Sequence, residues 1–259
     1  MQQPRVVIDQ MGRKVKFNFP PTRIVSLVPS QTELLYDLGF NEQVVGITKF
    51  CEHPSSWREL KVKVGGTKKL KLEVIDSLDP DLIIGNKEEN NKESIEALQQ
   101  KYPVWMSDIV TLDDAFWMIN EIGEITGKGA KGKAISNQIT ASFSNLKKRK
   151  AKVLYLIWRR PWMGAGSNTF INSMLEQMGL TNVLSNIPRY PELSVEQIES
   201  LEPDHVFLSS EPYPFQKKHI RELKGILPDT CFTLVDGQYF SWYGSRLVGA
   251  PVYFNSLII

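Results

Sequence analysis

One helix-to-strand corner occurs twice in the sequence, and this repeat constrains the fold more than any other feature. Residues 72–84 read LEVIDSLDPDLII, and residues 195–207 read VEQIESLEPDHVF. Six of the thirteen aligned positions are identical, and two more pair an acid with an acid. The two copies are 123 residues apart, and two copies are too few for a solenoid. The repeat therefore predicts two halves of similar construction.

Strand and helix patterns alternate around both copies of the corner. A hairpin is predicted over 6–17, and Ser30 and Glu33 match the S-x-x-E capping box of a helix that follows the strand 23–28. In both halves, short apolar strands are followed by helical segments that end in glycine. Such alternation indicates an α/β fold with mainly parallel sheets. We predict two Rossmann-like lobes.

The segment between the two halves has a different pattern. Residues 111–150 contain no strand signal, and their apolar residues recur at helical spacing. A helix over roughly 129–148 would be about 30 Å long. We therefore predict an N-terminal α/β lobe over 1–126, a connecting helix within 127–150, and a C-terminal α/β lobe over 151–259.

Composition excludes several classes of protein. The formal net charge is only +2, so the charge balance indicates no nucleic-acid partner. No apolar run is long enough to span a membrane. The first residues lack the apolar run of a secretory signal. The expected location is extracytoplasmic if a signal or lipid anchor is absent from this sequence, and cytoplasmic if Met1 is the native start.

Catalytic and metal-binding patterns are weak. The three histidines are not spaced as a ligand pair, and no G-x-S-x-G nucleophile turn is present. Cys51 and Cys231 are far apart in the sequence, so they predict neither a disulfide framework nor a metal site. We expect a protein that is not an enzyme and carries no resident cofactor or structural metal.

Two loops combine aromatic residues with arginine. WRRPWMGAG (158–166) follows an apolar strand, and DGQYFSWYGSR (236–246) follows another. Ligand clefts combine flat apolar faces with a few polar anchors, and in α/β sheets they lie at the carboxyl ends of strands. These loops predict ligand contacts at Arg160, Phe240, Trp242 and Arg246. Pro29, Ser30 and Phe50 mark the corresponding edge of the first half.

The sequence resembles the substrate-binding proteins of ABC importers that take up cobalamin, ferric siderophores or heme. The resemblance covers nearly the whole chain. It rests on D-x-x-G-R-x-V (9–15), RIVSLVPSQTELLYDLG (23–39), GGT (65–67), both corners, and the helical segment 111–150. It implies two α/β lobes joined by one rigid helix, with a metal chelate such as cobalamin or a ferric siderophore held between them. It also implies a monomer that delivers this ligand to a membrane permease.

The resemblance also implies roles for individual residues. It adds Trp162 and Tyr190 to the aromatic contacts, beside Phe50, and it supports Arg246 as a polar anchor. In the cobalamin-binding members one glutamate on each lobe contacts arginines of the permease, and these glutamates fall on Glu73 and Glu196. A glutamate in the first turn of a helix is also favoured by the helix dipole, by about 0.3–1 kcal/mol.

Two questions stay open from the sequence. Lysines and arginines around the predicted cleft favour a ligand with carboxylates over plain cobalamin, and heme is an alternative for which Tyr190, Tyr239 or His53 would be the axial ligand. The alternative function is an α/β enzyme or a cytosolic ligand sensor on the same two-lobe scaffold.

Overall fold

The computed structural model describes residues 3–259. The chain divides into two compact units. Unit 1 contains Met1–Ile109, Asp113–Thr140 and Tyr243–Arg246. Unit 2 contains Val110–Leu112, Ala141–Trp242 and Leu247–Ile259. Each unit is an α/β structure built on its own mainly parallel sheet, so the predicted fold class is confirmed.

Unit 1 begins with an antiparallel hairpin and continues with a parallel sheet. The hairpin strands are β1 (Gln3–Ile8) and β2 (Lys14–Phe19). The sheet has the order β5-β4-β3-β6-β7, and all its neighbours are parallel. Its strands are β3 (Ile24–Ser26), β4 (Val44–Ile47), β5 (Val62–Lys63), β6 (Leu82–Asn86) and β7 (Val104–Ser107). Its helices are α1 (Pro29–Asp37), α2 (Ser55–Leu60), α3 (Leu72–Leu78), α4 (Lys92–Gln99) and α5 (Leu112–Ile125), of which Leu112 belongs to unit 2.

Helix α6 (Gly129–Phe143) belongs to unit 1 through Thr140 and to unit 2 from Ala141. The division of the chain therefore falls inside this helix. The predicted helix was wrong at its end, because α6 stops at Phe143 rather than near residue 148. The chain between Phe143 and the next strand contains Leu146, which is 8% exposed and is one of the buried apolar side chains.

The sheet of unit 2 mixes parallel and antiparallel pairs. Its main order is β11-β9-β8-β12-β13, with β10 paired to β8. The strands are β8 (Lys152–Trp158), β9 (Trp162–Gly164), β10 (Thr181–Asn182), β11 (Glu192–Leu193), β12 (His205–Ser209) and β13 (Cys231–Val235). The helices are α7 (Phe170–Gln177), α8 (Val195–Ser200), α9 (Lys217–Lys224), α10 (Gln238–Ser241) and α11 (Ala250–Ser256). A 3₁₀ turn (Ser245–Val248) precedes the last of these helices.

The repeated corner has the same backbone geometry in both units. The residue before the proline of the corner adopts a left-handed conformation with φ of 43° in each copy, at Asp79 and at Glu202. Two residues later, Asp81 accepts hydrogen bonds from the amides of Thr22 and Arg23, just before β3. In the second copy Asp204 accepts one from the amide of Lys152, at the start of β8. The corner therefore fastens each helix to the first strand of its sheet.

The apolar positions that the two copies of the corner share belong to the core of each unit. Ile75 and Ile198 are both fully buried. In unit 2, Ile198 packs with Leu154, Val206 and other side chains of β8 and β12. Burying one such side chain stabilises a fold by about 1.5–3 kcal/mol. The scaffold role predicted for the apolar residues of the corner is consistent with this burial.

Helix starts match the sequence in unit 2 better than in unit 1. Ser194 and Gln197 form a capping box at α8, as predicted. The capping box predicted for Ser30 and Glu33 is wrong, because Val28 is the N-cap of α1 and no side chain caps it. Pro29 occupies the first turn instead, where its missing N–H leaves no helical hydrogen bond unmade.

Across residues 3–259, no helix combines the length and apolarity that crossing a membrane requires.

Candidate functional site

The carboxyl ends of the parallel strands form one edge in each sheet, where α/β proteins bind ligands. We call residues 27–30, 48–51, 65–70 and 87–90 the unit 1 edge. We call residues 159–162, 189–191, 210–216 and 236–242 the unit 2 edge. The predicted ligand residues Pro29, Ser30 and Phe50 lie on the unit 1 edge, and Arg246 lies in the segment 243–246 of the same unit. The remaining five belong to the unit 2 edge.

Phe50 presents an open aromatic face on the unit 1 edge. Its side chain is 51% exposed, although it directly follows the buried end of β4. The ring lies against Gly66, where an added Cβ would be only 3.0 Å from a ring carbon. The Lys49 ammonium lies 4.9 Å from the ring centroid, at cation–π distance. Glycine at position 66 thus lets the GGT turn support the ring that was predicted to contact ligand.

The start of α1 is tightly enclosed. Ser30 is 3% exposed, and its hydroxyl oxygen is buried without a hydrogen-bond partner. An added Cβ at Gly244 would lie 2.6 Å from the Ser30 carbonyl oxygen, so the segment 243–246 passes directly over this helix end. Pro29 is half-buried. The side chain of Ser30 offers no surface to a ligand, so its predicted contact is limited to the backbone.

Arg246 is held by Glu33 of α1 in a two-pronged ion pair. Their side chains are only 13% and 16% exposed. Burial raises the pKa of Glu33, while the charge and hydrogen bonds of Arg246 oppose that shift. Two guanidinium nitrogens of this predicted ligand anchor are therefore already committed within unit 1.

Trp162 lies in an aromatic stack on the unit 2 edge. Its ring is parallel to that of Phe215, with an interplanar angle of 2° and centroids 6.1 Å apart. The guanidinium of Arg159 lies 5.4 Å from the Trp162 centroid. Trp162 is 9% exposed, so only a margin of the ring reaches the surface. Trp158, at the end of β8, is 38% exposed and is the more accessible tryptophan of this loop.

Tyr190 is brought beside β9 by the antiparallel pairing of β11 with β9. Leu193 pairs with Trp162 between β11 and β9, and the amide of Gly164 donates to the carbonyl of Pro191. The Arg189 guanidinium lies 5.6 Å from the Tyr190 ring. The structure thus places Tyr190 near Trp162 on the same edge, and both side chains stay predicted ligand contacts.

The structure contradicts the prediction for Phe240. This ring is fully buried and packs against Tyr155, Phe207 and Phe254 in the core of unit 2. A ring enclosed in this way has no surface for a ligand. Trp242 is 6% exposed, and its indole nitrogen donates to Glu211 at 2.9 Å, so its polar end is already satisfied within the protein.

Arg160 is an exposed cation of the unit 2 edge. Its side chain lies in solvent, and its backbone has a φ of 69°, in the left-handed region that non-glycine residues rarely adopt. It makes no ion pair with any carboxylate among residues 3–259. Arg159, its neighbour, instead donates to both carboxylate oxygens of Glu222, at 2.8 and 2.5 Å. Arg160 is therefore available to a ligand anion.

Sequence reasoning missed Tyr213 and its neighbours. Tyr213 follows β12 and contacts the rings of Trp158, Phe215 and His219, with centroids 4.8–5.6 Å apart. His219 is 3% exposed and hydrogen-bonds the Tyr213 hydroxyl. The available signal was the segment EPYPF directly after a strand, which has the same character as the two aromatic loops.

Both predicted permease contacts are exposed glutamates in the first turn of a helix. Glu73 lies in the first turn of α3, and Glu196 lies in the first turn of α8. Hydrogen bonds from the Ser194 side chain and from its own backbone amide lower the pKa of Glu196.

Within the described part of the chain, no three histidine, cysteine or acidic side chains cluster as a metal site would require.

Each of the two α/β units has loops at the carboxyl ends of its parallel strands, where α/β proteins bind ligands. Two such units are typical of a solute-binding fold. The sequence model of the family described as periplasmic binding protein matches residues 24–225, more than half of the chain. The chain therefore belongs to the periplasmic binding protein family.

Comparison with known proteins gives relatives of several specificities. The chain is 27% identical over 199 residues to a vitamin B12-binding protein of Vibrio parahaemolyticus, covering 74% of this chain and 72% of the relative. It is 26% identical over 218 residues to the ABC transporter substrate-binding lipoprotein YvrC of Bacillus subtilis, covering 78% and 68%.

Solved structures share the fold. The periplasmic heme-binding protein RhuT of Roseiflexus sp. RS-1 has a TM-score of 0.77 at 23% identity, over 90% of this chain and 97% of that one. The vitamin B12-binding protein BtuF of Vibrio cholerae has a TM-score of 0.73 at 20% identity, over 91% and 97%.

Proposed function

We propose that the chain is the solute-binding protein of an ABC importer and captures a metal chelate, a corrinoid such as cobalamin or a ferric siderophore. The observation that carries the proposal is the end of β8 with the unit 2 edge that follows it, where the exposed Trp158, the exposed Arg160 and the margin of Trp162 lie within five residues. Flat apolar rings beside a single unpaired charge suit a large planar ligand with peripheral polar groups. Phe50 and Pro29 of the unit 1 edge are part of the same proposal.

The relatives support a binding protein rather than an enzyme. Those described above are named as binding proteins for vitamin B12 or heme, or as a substrate-binding protein of a transporter. The alternative of an enzyme or cytosolic sensor has no comparable support. An extracytoplasmic location and a monomeric state follow from the proposed role. Heme stays the alternative ligand, because an exposed arginine suits its two propionates.

Ligand titration tests the proposal. Purified protein is titrated separately with cyanocobalamin, hemin and a ferric hydroxamate siderophore while tryptophan fluorescence is followed. One of these ligands is expected to bind with a Kd below about 10 μM, or a binding free energy near −7 kcal/mol. Trp158→Ala is expected to weaken that binding about tenfold, whereas Lys14→Ala, in the hairpin, leaves it unchanged. Failure of all three ligands to bind would overturn the assignment.

We also propose that Glu73 and Glu196 contact the permease. Both are exposed acids at equivalent places in the two corners, while the hydrogen bonds that hold the corners use Asp81 and Asp204 instead. Exposed charges of this kind steer and orient an encounter more than they add affinity. The helix dipole favours an acid in each first turn, but it does not require glutamate at the same place in both copies.

Charge reversal separates docking from ligand binding. The double variant Glu73→Lys and Glu196→Lys is expected to abolish permease-dependent uptake into vesicles and to keep the ligand Kd within twofold. Glu93→Lys is the matched control, since Glu93 is also an exposed acid in the first turn of a helix, α4. Normal uptake by the double variant would refute the docking proposal.

A further inference from the structure

Tyr213 and His219 form a hydrogen-bonded pair beside the unit 2 edge, and the partners of the pair fix the position of its proton. The Nδ1 atom of His219 accepts a hydrogen bond from the backbone amide of Gln216 at 2.9 Å. A nitrogen that accepts carries no proton, so the neutral ring has its proton on Nε2. Nε2 lies 3.1 Å from the Tyr213 hydroxyl oxygen and therefore donates to it.

The ring of His219 is held in this neutral form by its surroundings. It is 3% exposed, and burial lowers its pKa, as do the nearby positive charges of Lys218 and Arg159. Glu222 and the Gln216 backbone act in the opposite direction with smaller effect. Near neutral pH the direction of the hydrogen bond from His219 to Tyr213 is thus settled by the protein.

Arg159 is committed to a different partner. Its guanidinium donates to both carboxylate oxygens of Glu222, and these bonds raise the pKa of Arg159. The Tyr213 oxygen accepts its hydrogen bond from His219, so the phenolic hydroxyl keeps its own proton as a donor. This proton is left to be donated outward.

The Tyr213 ring cannot easily turn away from this arrangement. It is fixed by edge-on contacts to Trp158 at 5.6 Å and to Phe215 at 4.8 Å between centroids. It is partly exposed, and it lies beside the exposed ring of Trp158. A fixed donor next to an open aromatic surface is the arrangement that fixes ligand orientation in binding sites.

We propose that Tyr213 donates its phenolic proton to an anionic oxygen of the bound ligand, a carboxylate or a phosphate, and that His219 is the residue that positions this donor. The inference rests on the proposed function and names the part of the ligand that the unit 2 edge recognises. An anionic acceptor is favoured over a neutral one because the exposed Arg160 lies two residues after Trp158, whose ring contacts Tyr213. Such charge-assisted bonds are the stronger class of hydrogen bond.

The test compares ligands with and without the anionic oxygen. Hemin is compared with hemin dimethyl ester, which lacks free propionates, and cyanocobalamin with cobinamide, which lacks the nucleotide phosphate. Tyr213→Phe is expected to weaken whichever parent ligand binds by about tenfold or more, as for a lost hydrogen bond to a charged group. The same variant is expected to change binding of the matching ligand without the anion by less than twofold. The pair that shows the difference identifies carboxylate or phosphate as the acceptor.

Variants of His219 separate positioning from packing. His219→Gln places an amide donor near the position of Nε2 and is expected to keep binding within threefold. His219→Leu, of similar size but without a donor, is expected to weaken the parent ligand about as much as Tyr213→Phe. Circular dichroism and thermal melting confirm that each variant is folded before its affinity is compared.

The outcomes distinguish this inference from the proposed function. If neither hemin, cyanocobalamin nor the ferric hydroxamate siderophore binds the wild-type protein, the proposed function fails. If the siderophore alone binds, the function stands and the proposed carboxylate or phosphate acceptor is refuted. If a parent ligand binds and Tyr213→Phe binds it equally well, the function stands and the role of Tyr213 is refuted. Equal weakening for ligands with and without the anion would also refute it, because that result indicates a packing role only.

Discussion

Arg246 donates from Nε and Nη2 to the two carboxylate oxygens of Glu33, at 3.0 and 2.6 Å, although the residues are 213 positions apart in the sequence. Both belong to unit 1, and the pair ties the returning segment Tyr243–Arg246 to helix α1. A forked arginine–carboxylate pair fixes geometry more firmly than a single bond does. Arg246 therefore has a structural role whether or not it also contacts a ligand.

Removing the carboxylate charge of Glu33 is expected to destabilise the protein. In Glu33→Gln the mostly buried guanidinium of Arg246 loses its counter-charge, and the expected cost is about 2 kcal/mol of unfolding free energy. Urea denaturation measures the change. Glu96→Gln is the matched control, because the Lys92–Glu96 pair is 3.7 Å apart with both side chains well exposed. The control is expected to change stability by less than about 0.5 kcal/mol; equal effects of both variants would contradict a structural role for the Glu33 pair.

Shortening Phe240 is expected to affect stability and not ligand recognition. Phe240→Leu leaves space among Tyr155, Phe207 and Phe254, and we expect a loss of about 1–2 kcal/mol in unfolding free energy. The Kd of the folded variant for its ligand is expected to stay within twofold of wild type. Phe50→Leu is expected to do the opposite, because the half-exposed ring of Phe50 contributes little to the core. Its unfolding free energy is expected to stay nearly unchanged, while its affinity for the ligand falls. A large affinity loss in Phe240→Leu would restore this residue as a ligand contact.

The sequence was sufficient for those features that depend on local patterns. The two corners were recognisable because a helical pattern, a Pro-Asp pair and a strand pattern follow one another within thirteen residues. The S-x-x-Q capping box at Ser194 was predicted correctly for the same reason. At Ser30 the similar S-x-x-E pattern failed, because Val28 is the N-cap of α1 and Glu33 pairs with Arg246, a partner from the last part of the chain. Long-range ion pairs of this kind leave no periodic signal.

The candidate site was predictable only in part. Aromatic residues mixed with arginine correctly marked the carboxyl ends of strands in unit 2, but the pattern does not say which rings face inward. Phe240 falls on the buried face of the short helix α10, whereas Trp158, which was not selected, is exposed. The hydrogen bond of His219 to Tyr213 and the contact of Tyr213 with Trp158 depend on side-chain directions, so only the folded structure reveals them.

The aspartates of the repeated corner are expected to differ in their contributions. Asp81 accepts bonds from two amides and from the Thr22 hydroxyl, at 2.7–2.8 Å, whereas the side chain of the more exposed Asp204 accepts one from an amide at 2.6 Å. We expect Asp81→Ala to cost about 2 kcal/mol and Asp204→Ala about 1 kcal/mol of unfolding free energy. Chemical denaturation measures both values. Asp79→Asn serves as a control, because asparagine tolerates the left-handed backbone and both sets of hydrogen bonds are kept. The reverse order of Asp81 and Asp204 would contradict this view of the corner.

The buried histidine paired with Tyr213 is expected to make stability depend on pH. Burial and the charges of Lys218 and Arg159 lower the pKa of His219 from its ordinary value of 6.5, so below that pH the unfolded chain binds a proton more readily than the folded one. The contribution of His219 is therefore complete above pH 6.5 and is lost as the pH falls through its folded pKa.

Comparing variants isolates the contribution of His219 from other titrating groups. His205 also has a lowered pKa, caused by burial, and it is unchanged in His219→Gln. The difference in unfolding free energy between wild type and His219→Gln is expected to be constant from pH 8 to pH 7 and then to shift in favour of the variant toward pH 5. Denaturation at half-unit pH intervals measures this difference. A difference that stays flat down to pH 5 would mean that His219 does not titrate differently in the folded and unfolded states, and the fixed proton on Nε2 would lose its support.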